Sequence, residues 1–303
     1  MIYPAINIII LNFNGNELLK ECLPFVITSA EIYKGRCTVT VLDNCSSDGS
    51  VEYLNKNFNS VKTASAPKNE VLISYNDHII NHTKEDIIVL LNNDIKTAPD
   101  FLEPLIKYFE KPDTFFAAPR QMSFDGRDYQ GGLHRIKNKL GFPYIGPFFP
   151  GYEKLLSTPG YTAYTGNGAF RKDIFIKLGG FDRMYLPGYV EDADLCYRAW
   201  KSGYKGYYEP SSVIYHKESV TFKNNYPAKK LFVTGYRNAF LFAWKNFSTA
   251  LLLKHIFLLP LTVIVFALTG RFWHIEGLIK ALFKIPEINR SKGSVNKDLL
   301  KLI

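Results

Sequence analysis

Three carboxylates within four positions, Glu191, Asp192 and Asp194, open the segment EDADLCYRAWKSG that follows Gly188-Tyr189-Val190. Leu195, Ala199 and Trp200 recur at i, i+4 and i+5, and Gly203 supplies a stop, so the spacing predicts a helix over 191–203. Carrying the Leu195/Ala199 stripe back one turn lands on Asp192, whereas Asp194 stands four residues before Arg198 and is expected to pair with it. Acids in a first helical turn complement the macrodipole by about 0.3–1 kcal/mol each, which accounts for Asp194. It does not account for Asp192. A carboxylate on a buried stripe needs partners or a wet cavity, and a carboxylate at a cavity wall can take the proton of an attacking hydroxyl.

Further polar groups close three apolar runs. Asn12 and Asn14 follow the first run in the turn NFNG, Asp43 ends CTVTVLD before NCSSDGS, and Asn92, Asn93 and Asp94 end the third. Each is by itself an ordinary turn or cap residue. Three such ends at one sheet edge, all without Lys or Arg, form a stronger signal. His216 ends a fourth apolar stretch, VIYH.

These ends need a scaffold, and the apolar pattern predicts one. Residues 5–12, 37–43 and 86–92 read as buried strands, 16–30, 47–57 and 99–110 as helices, and a weaker strand precedes Pro67. This rhythm predicts a mainly parallel sheet with helices on both faces, whose ligands bind beyond the carboxyl ends of the strands. Residues 113–171 are rich in Gly, Pro and aromatics. PRQMSFDGRDYQGG and GFPYIGPFFPGYEK read as loops, YTAYTGNGAF as a strand or turn, GYYEPSSVIYHKES as two short strands, and everything from about 226 as helices. Neither G-x-G-x-x-G after the first strand nor G-x-x-x-x-G-K-[ST] is present, which disfavours dinucleotide oxidoreductases and P-loop NTPases.

The chain of 303 residues is 47% hydrophobic, enough for a large core with an appendage. Its formal charge of +9 is unevenly spread: residues 1–222 hold 24 Lys+Arg against 25 Asp+Glu, and residues 223–303 hold 13 against 3. Cys22, Cys37, Cys45 and Cys196 have neither C-x-x-C nor zinc-type spacing and read as reduced thiols of a cytoplasmic protein. The run AINIIIL suits a first strand better than a leader.

Taken as a set, NFNG, VLDNCSSDGS, LLNND, TGNGAF with KLGGFD at 165–182, EDADLCYR and the His after VIY resemble glycosyltransferase family 2, over roughly residues 5–220 and in the family's order. The rhamnosyltransferase-like members are the nearest in pattern. The resemblance implies an α/β chain of GT-A fold, Rossmann-like, with a catalytic domain over 1–222, split into a nucleotide-sugar half (1–112) and an acceptor half (113–222). It further implies an inverting transfer from a UDP- or dTDP-sugar to a glycan or lipid-linked acceptor. Asp43, with Asn12 and Asn14 lining the same pocket, would hold the nucleoside, and Asn93 and Asp94 the diphosphate. Asp94 matches the last acid of the D-x-D motif, whose first acid is here Asn92, and His216 the second protein ligand of a Mg²⁺ or Mn²⁺ ion. Asp192 matches the catalytic base, Glu191 its neighbour, and Gly166 and Asn167 the acceptor side.

One departure concerns the stretch after the third strand, where relatives carry two glycines and this chain reads Asn69-Glu70-Val71-Leu72 onward. No binding role is expected for Val71 or Leu72. Two rival readings remain: a nucleotidyltransferase, for which NFNGNELLK is a poor triphosphate loop, and a non-catalytic glycan-binding or scaffold member.

The tail, 223–303, reads as a membrane-associating extension on the cytoplasmic face, peripheral or monotopic, rather than a nucleic-acid site, because its charges flank long aliphatic runs. In 227–247, Lys229, Lys230, Arg237 and Lys245 mix with Leu231, Phe232, Tyr236, Phe240 and Trp244, as in an interfacial helix. The uncharged stretch 256–270 is about 22 Å as a helix, short of a bilayer core of roughly 30 Å, and Pro260 is expected to interrupt it. Arg271, Lys280, Lys284, Arg290 and Lys292 would face anionic headgroups, the alternative being a packed helical cap.

Overall fold

Along the first strand Ile8 and Ile10 join one hydrophobic cluster and Ile9 another, so a run of isoleucines serves both faces of a central strand. The computed structural model describes residues 3–139, 142–217 and 227–290, with 293, 299 and 302. In chain order the elements are β1 (Ile6–Asn12), α1 (Asn16–Ile32), β2 (Cys37–Asp43), α2 (Ser50–Asn57), β3 (Lys62–Ser65), α3 (Ser74–His82), β4 (Ile87–Asn92), β5 (Ile95–Thr97), α4 (Leu102–Ile106), β6 (Thr114–Ser123), β7 (Tyr129–Gly131), β8 (Arg135–Lys139), β9 (Phe142–Gly146), β10 (Gly160–Tyr161), β11 (Gly168–Arg171), α5 (Lys172–Lys177), α6 (Glu191–Lys201), β12 (Lys205–His216), α7 (Ala228–Asn246), α8 (Thr249–Leu268) and α9 (Phe272–Leu282).

The large sheet runs β10-β12-β6-β11-β4-β1-β2-β3. It is parallel over β3-β2-β1-β4, as the rhythm predicts, and again between β6 and β12, but β11 lies antiparallel between β4 and β6. The register sets Asn12 beside Asp43 and Leu11 beside Asn92, which brings the three polar ends to one edge.

Several expectations change. PRQMSFDGRDYQGG is no loop: it holds the end of β6 and β7, which pair with each other, and GFPYIG contains β9, paired with β8. Gly and Pro marked these as loops, yet Pro119 of β6 falls between the residues paired with β11 and those paired with β7, and β9 pairs on one side only, positions that tolerate proline. GYYEPSSVIYH is one strand whose register shifts between Glu209 and Val213, around Pro210. The helix expected over 99–110 is α4 followed by a 3₁₀ turn, Lys107–Glu110. Helix α3 was not expected, because its buried stripe, Ser74, Tyr75, His78 and Ile79, is half polar.

The tail departs further. The second half of helix α7 is no interfacial helix: Phe240, Leu241, Phe242 and Ala243 are fully buried in the same core as Trp200 and Phe170, and Phe142 of β9 meets Phe240 edge-on at 5.0 Å. Arg237 and Lys245 face protein, while Lys229 and Lys230 of the first turn are exposed. Lys245 is ion-paired with Asp182 and Asp194, and Arg237 donates to the Leu186 carbonyl. Arg290 likewise donates to the carbonyls of Trp244 and Phe247, and Lys284 to that of Met184. These groups are turned inward and not toward headgroups; Lys292 and the expected boundary at 222 lie outside the described residues. Helix α8 continues through Pro260 as 20 residues, about 30 Å. It leaves Leu253, Ile256, Phe257, Leu261, Ile264 and Leu268 exposed, Phe257 by 83%. Among the described residues it is the helix long and apolar enough to cross a membrane.

Candidate active site

At the edge of the parallel strands the polar ends are tied together. Asn93 donates from Nδ2 to Asn12 Oδ1 at 2.8 Å, and Asn12 donates to Asp43 Oδ1 and Ser46 Oγ, both at 3.2 Å. Asn14 accepts from the Ser47 amide at 2.8 Å. Gly15 permits this closeness, since a Cβ there would lie 2.0 Å from Asn93 Nδ2. Asn12 is thus fully buried and knits two loops, and neither it nor Asn14 nor Asp43 is among the residues that line the cavity beside them. Asp43 stands in the same network, accepting from the Ser46 amide at 3.0 Å. The cavity wall here is made instead by Phe13, Asn44, Asn69, Val71 and Leu72. Val71 and Leu72 therefore do face it. Val71 has a positive φ of 52° although it is not glycine, a backbone conformation uncommon for a β-branched residue.

Next along the wall, β5 pairs with the end of β12 and sets His216 opposite Ile95. His216 Nε2 lies 3.2 Å from Asp94 Oδ1, a buried oxygen that accepts no hydrogen bond, and Gln121 Nε2 lies 3.0 Å from His216 Nδ1. As placed, the Gln121 amide nitrogen donates to Nδ1 and leaves the neutral ring's proton on Nε2, facing Asp94; metal ligation through Nε2 would require the Gln121 amide to turn over so that its oxygen takes the Nδ1 proton. No three His, Cys, Asp or Glu side chains converge among the described residues. Two ligands fit a divalent cation that shares substrate phosphates and water rather than a closed protein cage.

Across the cavity, α6 begins at the acids. Asp192 lines the cavity and accepts from the Ala193 amide at 2.8 Å, and a Cβ on Gly166 would come within 3.0 Å of its Oδ2. Asn167 accepts from the Asn92 amide at 3.0 Å, fastening this loop to the end of β4. Glu191 is buried with Oε2 unpartnered. Burial, and then the charge of Asp192, push the Glu191 carboxyl up to about 8; burial also raises Asp192. Two adjacent carboxylates in one enclosure do not both ionise readily, so a neutral Glu191 leaves the charge on Asp192.

Asp194 pairs with Arg198 as the helix pattern predicts, but not with Arg198 alone. It is fully buried and bound by Tyr185 Oη at 2.9 Å, Arg198 Nε at 2.8 Å, Lys245 Nζ at 2.8 Å and Asn246 Nδ2 at 2.7 Å. Burial alone would raise its carboxyl, but Arg198, Lys245 and Asn246 together hold it below the usual range. The expected Arg198 contact is present, and the others come from elements far along the chain.

Asn93, Asp94, Gln121, His216, Gly166, Asn167, Glu191 and Asp192 border one cavity of about 570 Å³, whereas Asn12, Asn14, Asp43 and Asp194 do not line it. Sequence reasoning missed Gln130, His134, Tyr164, Tyr189 and Gly235 on its wall. His134 stacks on Tyr164 with centroids 4.1 Å apart, and burial pushes its imidazole down to about 4, so the ring is neutral. Tyr164 stands two residues before Gly166, a spacing that could have singled it out; the others carried no local signal.

Comparison with known proteins agrees with this architecture. Residues 7–179, more than half of the chain, match the sequence model of glycosyl transferase family 2. An N-acetylglucosaminyl-diphospho-decaprenol L-rhamnosyltransferase of Mycobacterium tuberculosis is 27% identical over 165 residues, 45% of this chain and 49% of that protein. The chain matches less than half the length of its curated relatives. Among solved structures, GalNAc-T7 with UDP, GalNAc and Mn²⁺ superposes with a TM-score of 0.62 at 17% identity, covering 82% of this chain and 49% of that one. A mannosyltransferase of Pyrobaculum calidifontis with GDP-Man and Mn²⁺ gives 0.60 at 14% identity, covering 94% and 89%. At such identities the structures speak for the fold alone. The chain belongs to glycosyl transferase family 2 and has the GT-A fold.

Proposed function

We propose that the chain is an inverting glycosyltransferase that moves a sugar from a nucleotide diphosphate to a glycan or lipid-linked glycan. The observation that carries this reading is that two different pairs line one cavity, Asp94 with His216 and Glu191 with Asp192. Asp192 takes the proton of the acceptor hydroxyl while that oxygen bonds to the anomeric carbon from the side opposite the leaving group. The bond between the anomeric carbon and the phosphate oxygen breaks, and the nucleoside diphosphate leaves with its electron pair. Asp94 and His216 would hold Mg²⁺ or Mn²⁺, which supplies Lewis-acid neutralisation of the departing diphosphate. Glu191, neutral beside Asp192, keeps the second charge out of the enclosure. Gly166 and Asn167 border the acceptor side, and Asn93 orders the strand ends behind the diphosphate.

The Mn²⁺ and nucleotide sugars named for the structural neighbours support a metal-assisted donor site here, and the decaprenol-linked name of the Mycobacterium tuberculosis relative supports a lipid-linked acceptor. The exposed apolar side of α8 and the exposed Phe272 and Trp273 at the start of α9 support attachment to a membrane surface, the cytoplasmic face being where nucleotide sugars are made available. Cell-envelope polysaccharide synthesis fits that placement.

Full-length protein is tested by thermal shift against UDP-, dTDP- and GDP-sugars with Mn²⁺, since ligand binding stabilises the native state by mass action, and then for transfer. One nucleotide class should raise the melting temperature with Mn²⁺, less in chelator, and Asp94→Ala should lose the increment. Full transfer in excess chelator, with metal carry-over excluded, overturns the metal role. Binding of no nucleotide sugar with any cation overturns the reading as a whole.

A further inference from the structure

We infer that α7 is a positioning element for the Glu191/Asp192 pair, with Asn238 as its central contact; the inference rests on the role proposed for that pair. The segment leading into α6 has an unfavourable backbone. Tyr189 and Val190 have positive φ, 74° and 76°, and neither is glycine. For a β-branched residue such as Val190 this conformation is an outlier, and it persists only where the surroundings over-determine it.

Helix α7 supplies those surroundings. The fully buried Asn238 amide donates to the carbonyls of Tyr185 and Gly188, both at 2.7 Å, and of Tyr189 at 2.9 Å. Its own oxygen accepts from Arg237 Nε at 2.9 Å, and Arg237 Nη2 reaches the Leu186 carbonyl at 2.5 Å. Two turns later on the same helix, Lys245 and Asn246 bind Asp194, the second residue after Asp192. The chain is therefore gripped by one helix immediately before the acids and immediately after them. Gly235, three residues before Asn238, lines the cavity itself. A helix serving only to attach the chain to a surface would need none of these contacts; together they aim the start of α6 at the cavity.

The test uses the full chain with Asn238→Ala. The transfer rate at saturating donor should fall about ten- to a hundredfold, the cost of misplacing a catalytic group by about an ångström, while the KM for donor stays within about twofold. Hydrogen exchange should quicken at amides 188–194 and stay unchanged in β1 and β4. Val190→Gly placed on top of Asn238→Ala should restore part of the rate, because glycine adopts the left-handed backbone unaided. If Asn238→Ala does not fold, Arg237→Met removes a less buried donor to the same segment and should give the same local pattern at smaller size. Unchanged exchange at 188–194 overturns the inference, and so does a rate loss matched by an equal loss of donor affinity. Exchange is read without substrate, so a folded chain that transfers no sugar defeats the proposed function while the exchange result still decides the role of α7.

Discussion

The two walls of the cavity are assembled by different kinds of contact. At the strand edge, Asn12, Asp43 and Asn93 take their places from parallel strands in register, and their mutual hydrogen bonds stay within the first 93 residues. At the acid wall, Glu191 and Asp192 follow a backbone held by Asn238, with sequence separations near 50. The first wall is a product of the sheet; the second depends on α7, which follows the acids in sequence and packs into the same core. Each should therefore fail without the other.

The sharpest separation comes from Asp192→Asn, which should lower the transfer rate by about two to four powers of ten while nucleotide affinity, read by thermal shift, stays near wild type. If Glu191→Gln is the crippling change and Asp192→Asn is mild, the base is Glu191.

Lys245→Met should destabilise the fold strongly. It strips one cation from the fully buried Asp194 but leaves Arg198, so the loss should sit toward the lower end of the about 3–5 kcal/mol typical of a broken buried pair, measured as a shifted urea midpoint. Removing the tail would do the same and more, so a truncation before α7 tests folding and catalysis as well as membrane attachment. A variant with wild-type stability would break the contrast between the walls.

Acidity distinguishes them as well. Glu191 has its carboxyl raised to about 8 in the folded chain against an ordinary value of 4.5. A raised carboxyl favours the folded state while it is protonated; that contribution is complete below the unfolded value and declines as pH climbs through the folded one. Stability should therefore fall between pH 4.5 and about 8, with a slope of at most about 1.4 kcal/mol per pH unit from this group. Glu191→Gln should flatten that slope in urea titrations across the window. An unchanged slope would show that Glu191 is not the group responsible.

The smallest effect belongs to the strand wall. Val71→Gly relieves a positive φ of 52°, and because glycine also gains freedom in the unfolded chain by about 0.4–1 kcal/mol, the net stabilisation should be about 1 kcal/mol or less. Donor affinity should respond, since Val71 lines the cavity, whereas the rate at saturating donor should not. A change in rate alone would link the two walls.

The sequence by itself marked the strand edge: an unbroken run of isoleucines pointed to a β1 buried on both faces, and short polar residues after each apolar run marked the edge beyond which ligands of such sheets bind. Both signals are local, spanning fewer than about ten residues, which is why they survive without a structure. It also placed Asp192 toward a cavity, but for a weaker reason, because α6 is buried on nearly every side and an apolar stripe then no longer distinguishes one acid from the next. Only the tertiary structure decided between them. Asp194 accepts four side chains, two from α7, and so remains charged in the core, whereas Glu191 meets no such partner and Asp192 opens to the cavity. The same holds for the tail, whose Arg237 and Lys245 look on composition alone like headgroup ligands. Their charges are directed inward because the half-buried Leu186 carbonyl and the buried Asp194 carboxylate, some fifty residues earlier in the chain, need hydrogen-bond partners where solvent is excluded.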